Sequence, residues 1–182
     1  MGTRLTTLAA VTTIEQLERE IWPDPDPGST FLVRRCTELR RKPVAEFTVE
    51  DLRIMLGQQI GVSALLPLAV QVLLRDPLAE GDYHPGDLLF TVLRLSNSAW
   101  SDFRAERKRL ASTVARLVAG PPFSEPDLRP RDPNRQLRDA MARFLADLRS
   151  APAGFQPATH GSEVEYGPSR LRASDPPRLA RP

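Results

Sequence analysis

Ser63-Ala64-Leu65-Leu66-Pro67-Leu68-Ala69-Val70-Gln71-Val72-Leu73-Leu74-Arg75 decides the fold. Leucine, valine and alanine fall on nearly every side of a 3.6-residue period. A helix without a polar face must be surrounded by other elements, so this segment is expected at the centre of a core. Pro67 is tolerated only near a first turn or at a kink. Arg75, Asp76 and Pro77 close the segment. The wider apolar run, Ile60 to Leu74, is broken by Ser63, Pro67 and Gln71 and is shorter than the roughly 20 residues a membrane span needs.

Upstream, three further helices are expected. Ile14, Leu17 and Ile21 form one stripe over residues 13–22, with Thr12 and Glu15 spaced as a capping box. Pro23, Pro25 and Pro27 stop that helix. Ser29 is a plausible N-cap for the next, in which Leu32, Cys36 and Leu39 share a face and Pro43 marks the end. Thr48 with Asp51 opens the third, with Leu52, Met55, Leu56 and Ile60 apolar, and Gly61 is expected at its end.

Downstream, residues 76–87 read as a loop, and Asp87 as the cap of a helix carrying Leu88, Val92 and Leu95. Ser98 is the expected cap of a helix near 99–118, with Trp100, Phe103, Leu110, Val114 and Leu117 at helical spacing. Asp132-Pro133 reads as a helix start, followed by Leu137, Met141, Phe144, Leu145 and Leu148. No segment alternates with period two, so the class is all-α. The expectation is a compact bundle of six to seven helices around the apolar one. It divides into a helical domain over 12–119, a proline-rich linker over 120–132, an additional amphipathic helix over 133–149 and a disordered tail over 150–182.

The 182 residues are 41% hydrophobic and 26% charged, proportions that allow a packed core. The net charge of +2 is too small to argue for nucleic acid by itself. It is unevenly placed: residues 11–100 carry a net −4 and residues 101–182 a net +5. Cys36 is the only cysteine, which excludes an internal disulfide and a multi-cysteine zinc site. On its apolar stripe it reads as a small core residue. Met1 to Val11 lacks the long apolar core of a secretory signal, so a reducing cytoplasm is the expected location.

Catalytic chemistry finds little support. His84 and His160 are the two histidines, and neither sits in a metal-binding or catalytic spacing. No phosphate-binding loop, dinucleotide fingerprint or H-E-x-x-H motif is present. No catalytic residue, metal ligand or cofactor is therefore expected. The one polar concentration is Asp76, Glu80, Asp82 and Asp87 around Tyr83. Three readings stand side by side: a site for a hard cation, helix-end and solvated carboxylates, or an acidic surface for a basic partner. The basic set Arg104, Arg107, Lys108 and Arg109 is interleaved with Asp102 and Glu106 and reads as a solvated helix face.

Taken in order, several segments resemble one family. These are Leu17-Glu18 with Ile21-Trp22-Pro23, Leu32-Val33, and Leu39-Arg40-Arg41-Lys42-Pro43. Phe47-Thr48-Val49-Glu50-Asp51-Leu52-Arg53-Ile54 follows, running on to Gly57-Gln58-Gln59-Ile60-Gly61. Then come Leu66-Pro67-Leu68-Ala69, Asp76-Pro77-Leu78-Ala79-Glu80-Gly81-Asp82 and Pro85-Gly86-Asp87-Leu88-Leu89. The set is similar to the helical immunity proteins of contact-dependent growth inhibition (CDI) systems. It covers residues 13–100, departing at Arg19 and at His84, where a small residue and a second aromatic are expected. The resemblance implies a bacterial protein that binds and neutralises a cognate toxin domain encoded nearby, without catalysis, membrane insertion or direct contact with nucleic acid. Trp22, Pro23, Leu52, Arg53, Gln58, Gln59, Gly61, Pro67 and Gly86 are expected to serve the fold. Trp22 and Pro23 would anchor a helix end in the core, and Gln58 and Gln59 would bond to loop backbone. Asp76, Glu80, Asp82, Tyr83 and Asp87 are expected to face the partner.

Overall fold

The computed structural model describes residues 12–121 and 133–150. The expected disordered tail beyond residue 150 and most of the expected linker, 122–132, lie outside them. Among the described residues seven α-helices follow one another: α1 (Ile14–Glu18), α2 (Phe31–Arg41), α3 (Val49–Gly57), α4 (Val62–Arg75), α5 (Asp87–Leu93), α6 (Arg104–Ala119) and α7 (Pro133–Ser150). Short 3-10 turns at Val44–Glu46 and Asn97–Trp100 precede α3 and α6. Among the described residues there is no strand, only an isolated bridge between Thr13 and Pro43. The chain is all-α.

Helix α4 packs against α3, α5 and α6, and α7 packs against α5 and α6. Leu65, Leu66, Ala69, Val70 and Leu73 of α4 are buried with Leu52, Met55 and Leu56 of α3 and Leu88, Leu89 and Val92 of α5. Leu110 and Val114 of α6 and Leu137, Met141 and Phe144 of α7 complete that core. The enclosure of α4 is less complete than its composition implies: Leu68, Val72 and Leu74 are half-buried, and Ser63 and Gln71 are exposed. Pro67 is the sixth residue of α4, past the first turn. It leaves the Ser63 carbonyl without its usual donor on the exposed side, where water can serve.

Helix α3 starts as expected, with Thr48 and Asp51 bonded reciprocally. The other boundaries shift for identifiable reasons. The box of α1 is Thr13 with Gln16, which frees Glu15 to reach Arg41 at 3.3 Å and the Trp22 amide at 3.4 Å. Thr30, not Ser29, caps α2. Arg19 adopts a left-handed conformation and ends α1 at Glu18. Leu17 and Ile21, expected on a buried stripe, are consequently 51% and 82% exposed. Leu32 is exposed as well, whereas Cys36 and Leu39 are buried. Burial pushes the Cys36 thiol pKa up, as expected of a core residue.

Gly61 does not close α3. Gln58 is that helix's C-cap, Gln59 takes a left-handed φ of 58°, and Gly61, at φ 65°, opens α4. A Cβ at Gly61 would lie 3.0 Å from Ile14 Cδ1. Asp87 is likewise not a cap but the first residue of α5, with Gly86 at φ 83° before it. The expected single helix over 99–118 breaks at Ser101–Phe103. The break turns Trp100 into the core, its ring 5.7 Å from that of Phe144.

Trp22 packs against the edge of the core rather than inside it. It is half-buried beneath the Arg40 guanidinium at 4.3 Å, and Pro23 is exposed. Arg40 is itself 1% exposed; it pairs with Glu18 and donates to the Glu20 carbonyl. This buried cation thereby ties the loop after α1 to α2.

Candidate functional site

The loop between α4 and α5 is held by three side chains, Glu50 and Arg53 of α3 and Asp87 of α5. Asp87, 4% exposed, accepts the Gly81 amide at 2.9 Å and the Tyr83 amide at 3.4 Å. Glu50 accepts the Asp82 amide at 3.1 Å. Arg53 grips Glu50 with two bonds of 2.6 Å, lies 3.8 Å from Asp87 Oδ2 and stacks at 4.5 Å on the Tyr83 ring. A Cβ at Gly81 would meet Glu50 Oε2 at 2.4 Å and Asp87 Oδ2 at 2.9 Å, so a side chain here would displace the carboxylates that hold the loop. The Gly86 amide, donating to Leu78 O at 3.0 Å, closes the loop's base.

This strap sorts the five expected contact residues. Asp87 faces inward and serves the loop. Asp76 is exposed and accepts the Leu78 amide at 3.1 Å, stabilising a turn. Glu80, Asp82 and Tyr83 project outward, with Tyr83 72% exposed. Glu50 was not among the expected site residues. Its i,i+3 spacing to Arg53 was visible, but its bond to a residue 32 positions later was not.

The residues expected to serve the fold divide in a similar way. Leu52 is in the core, Gly61 and Gly86 hold left-handed corners, and Arg53 is the strap's cation. Gln58 and Gln59 are exposed, and neither side-chain amide takes part in a hydrogen bond among the described residues, contrary to expectation. Exposed on a left-handed corner, Gln59 points to solvent rather than back to the chain. Of the basic set, Arg104, Lys108 and Arg109 are exposed. Arg107 is not a solvated residue: it is half-buried, 5.9 Å from the Trp100 ring and 5.4 Å from that of Phe144, and bonded to Asn97.

Two neighbouring carboxylates at the start of α3 carry depressed pKa values: Glu50, bonded to the loop, and Asp51, bonded to Arg35 and Lys42. The Arg53 hydrogen bonds hold Glu50 below the usual range, against its partial burial. For Asp51 burial pushes upward, but the bonds from Lys42 and from Thr48 outweigh it, and the net shift is downward. Groups depressed in the folded state stabilise fully above their unfolded pKa of about 4, and that stabilisation is lost as pH falls through the lower folded values. Tm is therefore expected to be nearly flat from neutral pH to about pH 5 and to drop below about pH 4. Thermal melts across this range check it; Glu50→Gln should show a shallower acid limb than the parent.

Among the described residues, no three His, Cys, Asp or Glu side chains come together to hold a metal ion, and no helix is long and apolar enough to cross a membrane. An acidic loop with Glu80, Asp82 and Tyr83 exposed is bonded to the helical scaffold through Glu50 and Asp87. Residues 16–110, more than half of the chain, match the family of CDI immunity proteins. The chain belongs to that family. No curated protein matches it. The family match covers most of α1, all of α2–α5 and the first half of α6, and so contains the whole strap. It ends at Leu110, before α7, although α7 supplies Leu137, Met141 and Phe144 to the same core.

Proposed function

We propose that this CDI immunity protein neutralises a cognate toxin domain in the cytosol by stoichiometric binding, and that the loop over residues 76–87 meets the toxin. The observation that carries this reading is the strap. Glu50, Arg53 and Asp87 hold Glu80, Asp82 and Tyr83 in place before any partner arrives. A loop ordered in advance loses little entropy on binding. Tyrosine is enriched among residues that dominate binding energy, and Tyr83, stacked by Arg53, is still 72% exposed. Toxins that attack nucleic acid need a basic substrate groove, and an acidic loop complements one, speeding encounter.

The test is charge reversal at the two outward carboxylates. Glu80→Lys with Asp82→Lys should leave the helical circular-dichroism signal unchanged, because the bonds at this loop come from the backbone amides of neighbouring residues and not from those carboxylates. Binding to the toxin domain encoded by the adjacent reading frame should slow, with kon falling by about 10-fold at low salt and by less at high salt. Unchanged kinetics, with protection of cells intact, would show that the loop is only a connector.

A further inference from the structure

We propose that a cleft between α5 and α7 is a second docking surface for the same toxin, and that α7 sets which toxin is accepted; this rests on the toxin-binding reading above. The cleft encloses about 560 Å3. Phe90 and Arg94, at the C-terminal end of α5, line one wall, and Asp139, Arg143 and Asp147 of α7 line the other.

Three observations converge on this cleft. The first is charge without partners. Asp139, Arg143 and Asp147 are exposed and stand four residues apart on one row of α7, about 6 Å per step. Opposite charges at this spacing can pair along a helix, yet none of the three is in an ion pair or hydrogen bond among the described residues. Arg35, Arg40 and Arg41 of α2, Lys42 at its C-cap and Arg53 of α3 are by contrast ion-paired. A row of minus, plus, minus left open to solvent fits a protein surface carrying the opposite sequence of signs. With Arg94 on the facing wall the cleft carries two cations and two carboxylates, a mixed-sign lining that suits a protein surface better than a polyanion.

The second is continuity with the loop. Helix α3 lies beside α5, with Glu50 and Arg53 near Asp87 at one end and Gly57 near Thr91 at the other. The acidic loop thus sits at the N-terminal end of α5 and the cleft at its C-terminal end, about 10 Å along the helix. Leu137 of α7 packs on Gly86 at the loop's end, and α7 runs from there to the cleft. One interface of ordinary size, about 800 Å2 on each partner, spans both.

The third is the boundary of the family match. The α5 wall lies inside residues 16–110, and the α7 wall lies outside. The cleft therefore joins a shared scaffold to a helix that the family pattern does not describe. Discrimination between related toxins needs repulsion of the wrong ones as well as attraction of the right one, and a signed row on α7 supplies both.

The test reverses the row in the full chain with Asp139→Arg, Arg143→Glu and Asp147→Arg. All three side chains are exposed, so Tm should stay within a few degrees of the parent. Affinity for the toxin domain of the adjacent reading frame should weaken by about 100-fold, mostly through a faster koff. The loop reversal, by contrast, acts on kon. The neutral set Asp139→Asn, Arg143→Gln and Asp147→Asn, which keeps side-chain shape, should lose about 10-fold and guards against a folding defect in the reversed row. Parent-like binding by both sets overturns the cleft proposal and leaves toxin binding standing. Failure of the parent protein to bind the toxin domain overturns both.

Discussion

Leu73→Asp is expected to abolish the fold. Leu73 is fully buried on α4, which packs against three other helices. It is buried in a cluster of apolar side chains from α3, α5 and α6. An unpaired buried charge costs several kcal/mol, and neutralising it by protonation costs free energy too. Whole-domain stability is of order 5–15 kcal/mol, so one such change consumes most of it. The variant should be insoluble, or soluble without a cooperative thermal transition. Lys108→Ala serves as the control: Lys108 is exposed on α6, and a surface change of this kind shifts stability by about 0.5 kcal/mol or less. A soluble Leu73→Asp protein melting cooperatively near the parent Tm would remove α4 from the centre of the core.

Nearly as large an effect is expected in α7, although the family match stops at Leu110. Met141 is 0% and Phe144 2% exposed, and the Phe144 ring packs on Trp100 while Arg107 lies against both rings. Truncating a buried methionine to alanine costs about 2–5 kcal/mol and a buried phenylalanine about 3–5. The two side chains share one helix face and the same core, so their costs need not add. The double change Met141→Ala with Phe144→Ala should still remove more than about 5 kcal/mol, read as a collapsed denaturation midpoint. A midpoint close to the parent's would make α7 an appendage, and the cleft wall it forms would lose its rigid base. If the expected loss is seen, α7 is as much a part of this immunity protein's core as α3 or α5.

Much of this architecture could be read from local patterns. The α4 composition demanded burial, and Leu73, Leu66 and Val70 are buried. Thr48 and Asp51 marked the start of α3 because a capping box is completed within four residues. The Leu137, Met141 and Phe144 spacing revealed the buried face of α7 in the same way. Family membership was legible too: the ordered motifs quoted over residues 13–100 lie almost wholly within the matched span 16–110. Helix periodicity, caps and motif order involve neighbours in the chain, and the interactions behind them act over one or two helical turns.

What the chain order could not disclose were contacts set by how the helices align. Asp76, Glu80, Asp82, Tyr83 and Asp87 were all expected to face a partner, with Asp76 and Asp87 also read as helix ends. Only the placement of α3 beside α5 turned Asp87 inward and left Glu80, Asp82 and Tyr83 outside. Arg107 seemed a solvated cation until the break before α6 brought Trp100 and Phe144 against it. Ile21 left its predicted stripe because Arg19 turned the chain, and Gly86 is confined because Leu137, 51 residues later, lies on it. The sequence by itself determined an all-α chain, its central apolar helix and its family. The tertiary structure decided which charges are buried, which are paired and which stay exposed, because burial and pairing depend on distances between helices that no local pattern encodes.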